Sequence, residues 1–441
     1  MKAAIVGGGM TGLSAADTLS QRGIECVLYE RDAELGGLAG SFRVGDTYLE
    51  KFYHHIFTSD TAVIDLVERL GLDEKLEWIP TTNSYYRDRI YQLSTPLDLL
   101  RFSHISFLDR IRLGLLYLRT NFIKDWHTLE DITAREWLVD MAGERVYEAV
   151  WEPLLRGKFG PYADDVAAVW IWNKLKLRGS SRGKRQEERL GYLREGFGQA
   201  IDIWQERLRD RGVRIETGAP VTHIPIEDGR ALGIVLDDEL QPADHVLVTT
   251  APEILLHLVP DLPLPYRQRL GQIKYLANVC LIMELNRSLS DTYWLNVGDP
   301  SIPFTGVIEH TNMQPPEIYG DVHLVYISRY LKTDNPLYRM TADQLLKEYL
   351  PHLKKIYPRF SRSWVHRVWA WRAPYTQPVI GLHYSELRPP FETPLSNLWL
   401  SCMAQIYPQD RGMNYAVAYG QQVAEKILAV ETKGRGAPLT R

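Results

Sequence analysis

Apolar and polar positions along the chain mark its first elements. An apolar run of strand length, "KAAIV" (2–6), leads into a segment with helical spacing, in which Leu13, Ala16 and Leu19 share one face and Gly23 marks the stop. A second apolar run, "IECVLYE" (24–30), ends on Glu30. "FRVGDTYLEKFYHHIFTSD" (42–60) alternates like a hairpin and runs out into a loop, and "SYYRDRIYQLST" (84–95) alternates around a charged turn. From Leu108, the positions Leu108, Ile111, Leu115, Leu118 and Phe122 step by three and four, which predicts a helix with Arg112 and Arg119 on another face. That apolar stripe is expected to pack on its own domain, with a membrane surface as the alternative. "AREWLVDMAGERVYEAVWEPLLRGKFG" (134–160) continues the helical region. "KLKLRGSSRGKRQEERL" (174–190) gathers positive charge among Gly and Ser and reads as a solvated loop, the alternative being a clamp for an anionic substrate. Residues 258–384 read as an antiparallel sheet, with strands at 278–285, 323–328 and 362–372 and one helix, 341–357, capped by Thr341. The tail, 431–441, is expected to be flexible.

Between the first strand and helix, Gly7, Gly9 and Gly12 form G-x-G-x-x-G, and Glu30 closes the second strand. The first glycine permits the tight turn, the second a close approach of backbone to a pyrophosphate, and the third close packing of helix on strand. Free N–H groups at the helix start favour the diphosphate, and Glu30 is placed to accept from a ribose hydroxyl. These residues predict a bound dinucleotide.

Composition narrows the picture. The chain has 441 residues, 45% hydrophobic and 24% charged, enough for a large core and a second domain. A net charge of −4 argues against a nucleic-acid partner. Cys26, Cys280 and Cys402 are scattered and form no CxxC pair, which favours a reducing, cytoplasmic setting. Apolar stretches such as "LANVCLIMEL" (276–285) are too short to span a bilayer, and with a strand at the opening no signal peptide is expected. No metal-ligand spacing stands out, so no metal is expected.

"RDAELGGLAGSF" (31–42), with Gly36-Gly37 just beyond the acid, resembles the extended fingerprint of the flavin amine oxidase, protoporphyrinogen oxidase and phytoene desaturase superfamily. "LREGFGQAIDIWQERLRDRGVRIETGAPVTHI" (193–224), in which a helix ended by Gly212 leads to a strand reaching Val221, resembles its middle block. "ADHVLVTTAPEIL" (243–255) resembles the strand closing that block, and "NLWLSCMAQIYPQDRGMNYAVAYGQQVAEKIL" (397–428) resembles the C-terminal strand, loop and helix. The resemblance implies an α/β fold, α+β overall, of glutathione-reductase-type architecture. A discontinuous Rossmann-like FAD-binding domain (1–75, 191–257 and 385–430) would join a substrate domain of 76–190 and 258–384, helical over 96–190 and sheet over 258–384. It implies non-covalent FAD held by Gly7, Gly9, Met10, Thr11, Gly12, Glu30, Arg31, Gly36, Gly37, Leu38, Ala39, Val221, Met403, Asp410, Gly412 and Met413. The chain departs from the family at Cys402-Met403, where Gly-Asp is usual, and at Tyr415, where a glycine usually enters the helix; Asp410 and Gly412 are read as compensating.

The implied activity is hydride transfer from a small-molecule substrate, anionic or lipophilic, to flavin N5, with oxygen, a quinone or a protein as electron acceptor. His54 and His55 head the catalytic candidates as proton relays. "HHIF" also resembles a stretch of UDP-galactopyranose mutase, which implies the alternative of a redox-neutral flavin-dependent isomerase on a sugar nucleotide. Lys274 corresponds loosely to a lysine that holds a water at N5 in amine oxidases. Trp371 and Tyr375, in "VWAWRAPYTQP" (368–378), are expected to wall the substrate, and Tyr407 to lie near the flavin. Glu309-His310 reads either as an acid–base pair or as a turn anchored by hydrogen bonds.

Overall fold

The computed structural model describes residues 1–93, 95–180 and 188–435. In chain order, the strands of its two large sheets are β1 (Lys2–Val6), β2 (Glu25–Tyr29), β3 (Asn83–Tyr86), β4 (Ile90–Gln92), β5 (Arg214–Glu216), β6 (His245–Val248), β7 (Tyr275–Leu285), β8 (Trp294–Val297), β9 (Gly306–Glu309), β10 (His323–Leu331), β11 (Val365–Pro378) and β12 (Leu398–Leu400). The helices that position the site are α1 (Met10–Gln21), α2 (Thr61–Arg69), α3 (Pro96–Arg101), α4 (Phe107–Thr120), α5 (Ala168–Ser180), α6 (Gly198–Asp210), α7 (Ala342–Ile356) and α8 (Met413–Arg435).

The first sheet is parallel throughout, in the order β12-β6-β1-β2-β5. Its central strand β1 buries Ala3, Ala4, Ile5 and Val6, as an apolar strand covered on both faces must. α1 and α8 cross at contact distance, because a Cβ at Gly420 would lie 2.4 Å from the Thr11 carbonyl oxygen. Ser14 Oγ donates to the Val417 carbonyl across the same seam, at 2.7 Å. The N-terminal turns of both helices line the same cavity, described below.

The second sheet runs β11-β7-β10-β9-β8-β3-β4 and is antiparallel except for the β8–β3 pair. Side chains of β7 alternate between two cores: Ala277, Val279, Leu281 and Met283 pack with Leu345, Tyr349 and Leu353 of α7, while Cys280 and Ile282 join the core under α1. Thr341 caps α7 through a reciprocal capping box with Gln344. The α/β architecture agrees with the sequence reading, but β10 and β11 run on beyond the expected strand ends, to Leu331 and Pro378.

Four local expectations are corrected. Val221 lies in a loop past β5, not on the strand. Residues 174–180 continue α5 instead of forming a loop, and Arg182, Lys184 and Arg185 of the basic stretch lie outside the described residues. α8 extends through residues 431–435 of the expected tail, the remainder of which also lies outside the described residues. α4 forms where its spacing predicts, but with the opposite face inward: Asp109, Leu113, Leu116 and Thr120 are buried, and the Leu108 stripe faces out. Among the described residues, no helix is long and apolar enough to cross a membrane.

Candidate cofactor and substrate cavity

A cavity of about 960 Å³ runs from the C-terminal edge of the parallel sheet to the β11 edge of the antiparallel one. At its first end, Gly7 adopts φ +114° and donates to the Tyr29 carbonyl at 2.8 Å. Gly9 is the N-cap of α1, which has no side-chain cap, so its first N–H groups remain free for a ligand. Gly36 and Gly37, at φ +106° and +57°, fold back on this turn, and Gly36 donates to the Gly8 carbonyl at 2.9 Å. Only glycine takes such angles without strain. Glu30 locks the two loops together: its carboxylate accepts from Gly8 N–H at 2.7 Å and from Asp32 N–H at 3.0 Å. The lining also includes Met10, Thr11, Arg31, Leu38, Ala39, Val221, Met403, Gly412 and Met413, and Tyr415 where the resemblance expects glycine. Gly12 stands just beneath, where a Cβ would sit 2.0 Å from the Gly7 carbonyl oxygen.

His54, Trp371 and Tyr375 wall the other end. The His54 Nδ1 lies 2.6 Å from the Phe52 carbonyl. A carbonyl only accepts, so Nδ1 carries the proton and Nε2 keeps its lone pair. Burial pushes the imidazole down to about 4, against the raising effect of that carbonyl and reinforced by the Arg411 charge, so His54 is neutral at pH 7. Trp371 packs against Phe42 at 5.2 Å with the rings tilted by 43°, and Tyr375 meets Tyr275 edge-on at 5.7 Å. Trp371 Nε1 and Thr250 Oγ1 are among the buried polar atoms of lining residues that lack a hydrogen-bond partner among the described residues. Together with the glycine cradle and the free N–H groups of α1, they fit a dinucleotide with a planar ring system at its far end.

Four residues singled out from the sequence lie elsewhere. His55 packs against Phe57 and Trp294, at 5.0 and 5.9 Å. Lys274 is exposed and sits 5.0 Å over the Tyr162 ring, away from the cavity. Tyr407 bonds Glu130 and packs on Tyr384 and Trp126. Asp410 turns from the cavity into a cluster in which Trp170 Nε1 donates to it at 3.1 Å and Lys174 and Lys158 pair with it. Burial alone would raise the Asp410 carboxyl, but the Lys174 and Lys158 charges outweigh it and hold the acid far below its usual range. Glu309 accepts from Leu289 and Ser290 N–H, each at 2.9 Å, and His310 bonds the Tyr319 hydroxyl at 2.7 Å; this is an anchored turn, not an acid–base pair facing the cavity. Burial raises the Cys402 thiol to about 12, so it lines the cavity as a neutral group.

Three cations in the lining escape the sequence reading. Lys51 Nζ lies 4.8 Å from the Trp371 ring and 2.8 Å from Glu34. Arg372 donates through Nε to the Tyr338 carbonyl at 2.6 Å. Arg411, half-buried, donates to Gln377 Oε1 at 3.0 Å and to the Tyr330 hydroxyl at 2.6 Å. None belongs to a short motif. The resemblance points to Asp410 as a replacement acid, and it is its neighbour that faces the cavity. Among the described residues, no group of three or more His, Cys, Asp or Glu is placed to hold a metal.

Residues 10–428 match the family model of flavin containing amine oxidoreductases. The chain is 21% identical to the zeta-carotene desaturase of a Synechocystis species, over 100% of this chain and 99% of that protein. Its fold superposes with a TM-score of 0.78 on a protoporphyrinogen-oxidase-like protein of an Exiguobacterium species, at 20% identity, covering 97% of this chain and 99% of the other. The corresponding values for reduced UDP-galactopyranose mutase are a TM-score of 0.74, 15% identity, and 97% and 96% coverage.

Proposed function

The chain belongs to the flavin containing amine oxidoreductase family, and from that premise we propose that it binds FAD without a covalent link and dehydrogenates a small-molecule substrate. The single observation that carries this reading is the continuity of one cavity from the glycine cradle to the aromatic wall of Trp371 and Tyr375. In this reading, the FAD-binding part is 1–75, 191–257 and 385–430, and the substrate part is 76–190 and 258–384. Gly9, Gly36, Gly37 and the first turn of α1 hold the diphosphate, and Glu30 accepts from the ribose. FAD, when bound, supplies the hydride acceptor. The first turn of α8 presents its N-terminal dipole to the flavin, favouring negative charge there. Trp371 and Tyr375 exclude water and orient the substrate. His54 offers Nε2 as a hydrogen-bond acceptor, and with its basicity depressed to about 4 it positions a substrate N–H or O–H better than it holds a proton. Oxygen, a quinone or a protein takes the electrons.

A second reading is a redox-neutral isomerase acting on a sugar nucleotide. The observation favouring it is the set of cations Lys51, Arg372 and Arg411 along the aromatic end of the cavity, a lining suited to an anionic substrate. Anaerobic titration of the purified protein with amines, porphyrinogens and UDP-sugars, following the flavin absorbance, separates the readings. Bleaching by one substrate class is expected. Turnover only after chemical pre-reduction, without bleaching, would move the assignment to the isomerase.

A further inference from the structure

Eight of the fourteen exposed large apolar side chains among the described residues lie between Leu97 and Phe122. They are Leu97 and Leu100 of α3, then Phe107, Leu108, Ile111, Leu115, Leu118 and, just past α4, Phe122. Leu108, Leu118 and Phe122 are 67%, 59% and 81% exposed, so this is not a margin of the core. At about 100° per residue, the 108–111–115–118–122 stripe falls nearly opposite the buried Asp109–Leu113–Leu116–Thr120 face. α4 therefore already has its partner inside the protein and carries a second apolar face with none. A contiguous patch of this kind on an otherwise polar surface marks an interaction site.

Charge identifies what covers it. From Leu97 to Lys124 the chain carries Arg101, Arg110, Arg112, Arg119 and Lys124 against only Asp98 and Asp109, within a protein of net charge −4. Both carboxylates are already engaged: Asp98 accepts from Thr95 at the start of α3, and Asp109 is buried, accepting from Ser106 at 2.6 Å and from Arg112 at 3.1 Å. What the patch presents outward is hydrocarbon with a cationic border. A second copy docking through the same face about a two-fold axis would bring like charges together, with neither carboxylate of this stretch free to meet them. A layer of lipid phosphates meets them directly, while the stripe enters the acyl boundary. We propose that the outer face of α3 and α4 docks this protein on an anionic bilayer surface, lying on the membrane without crossing it. The proposal stands apart from the chemistry of the cavity.

The test is co-sedimentation of the full protein with phosphatidylcholine vesicles containing about one third phosphatidylglycerol, against pure phosphatidylcholine. Binding to the anionic vesicles is expected, weakening as salt rises. Leu108→Glu with Leu118→Glu is expected to reduce it by about tenfold or more, since the stripe no longer enters the boundary. Arg119→Glu with Lys124→Glu is expected to reduce binding to anionic vesicles by about tenfold. Circular dichroism and the melting temperature should be unchanged in both pairs, because all four side chains are exposed. Absence of vesicle binding by the wild type, or binding unaltered in the Leu108→Glu/Leu118→Glu protein, overturns the proposal. So does a concentration-dependent dimer in analytical ultracentrifugation that this pair abolishes while vesicle binding is absent, which would assign the face to a second copy.

Discussion

Gly12 stands where α1 meets the end of β1, with room for no side chain: an alanine Cβ would sit 2.0 Å from the Gly7 carbonyl oxygen. Gly12→Ala must push the helix off the strand, at a cost of about 1–3 kcal/mol, and carry the free N–H groups of α1 away from the diphosphate. A fall in both melting temperature and bound flavin is expected, and an unchanged flavin content would contradict this role. His54 makes a prediction in pH. Its pKa drops from 6.5 in the unfolded chain to about 4 in the fold, so below pH 6.5 the unfolded state binds the extra proton. Its contribution to stability is present above pH 6.5 and lost as pH falls towards 4. Measured against His54→Asn by urea unfolding, the wild type should lose about 2 kcal/mol between pH 7.5 and pH 5; parallel behaviour of the two proteins would show that His54 is not desolvated. The glycines and Glu30 are legible in the sequence because the turn they make is local. Lys51, Arg372 and Arg411 are not, because which of two adjacent loop residues turns inward depends on what the rest of the fold places there. Asp410 and Arg411 are the plain case, with two half-buried lysines claiming the one and Gln377 and Tyr330 the other.

α5 shows how an element can be misread from composition. Its Lys174 lies in a run of Lys, Arg, Gly and Ser, yet its ammonium pairs with the buried Asp410. Lys174→Met leaves that buried carboxylate with Lys158 alone, and because Lys174 is partly exposed the loss is expected at the lower end of the range for buried pairs, about 3 kcal/mol. Lys174→Met is expected to unfold at markedly lower denaturant, and adding Asp410→Asn should restore much of the loss. A single variant as stable as the wild type would remove the pair from the account. In α4, the three–four spacing predicts the helix, but spacing reports an apolar face and not what lies against it. The inner face, built on Leu113 and Leu116, is shorter and interrupted by Asp109 and Thr120, whose polar atoms are satisfied locally by Ser106 and by the Leu116 carbonyl at 2.8 Å. Amphipathic reasoning favours the more regular stripe as the inner one, and in this helix that stripe is outside.

On the scale of the molecule, two sheets of different kind meet at one cavity. The parallel sheet brings the glycine turns and two helix N-termini to its C-terminal edge, and the antiparallel sheet supplies the aromatic wall from β11. The parallel sheet is readable from the first thirty residues, because strand, turn and helix follow one another directly. The arrangement of the second sheet is less so: its β8–β3 pair joins residues some 200 positions apart, and no local pattern encodes that register. The central claim is that the glycine cradle is the FAD site. Gly36 tests it most directly, since it sits at φ +106° and a Cβ added there would lie 2.7 Å from Ile201 Cδ1. The measurement is calorimetric titration of FAD into the deflavinated wild type and into Gly36→Val, with circular dichroism to show that both are folded. The account predicts one FAD per chain for the wild type and loss of measurable binding in the variant. A wild type that takes up no FAD, or a folded variant that binds it equally well, would contradict it.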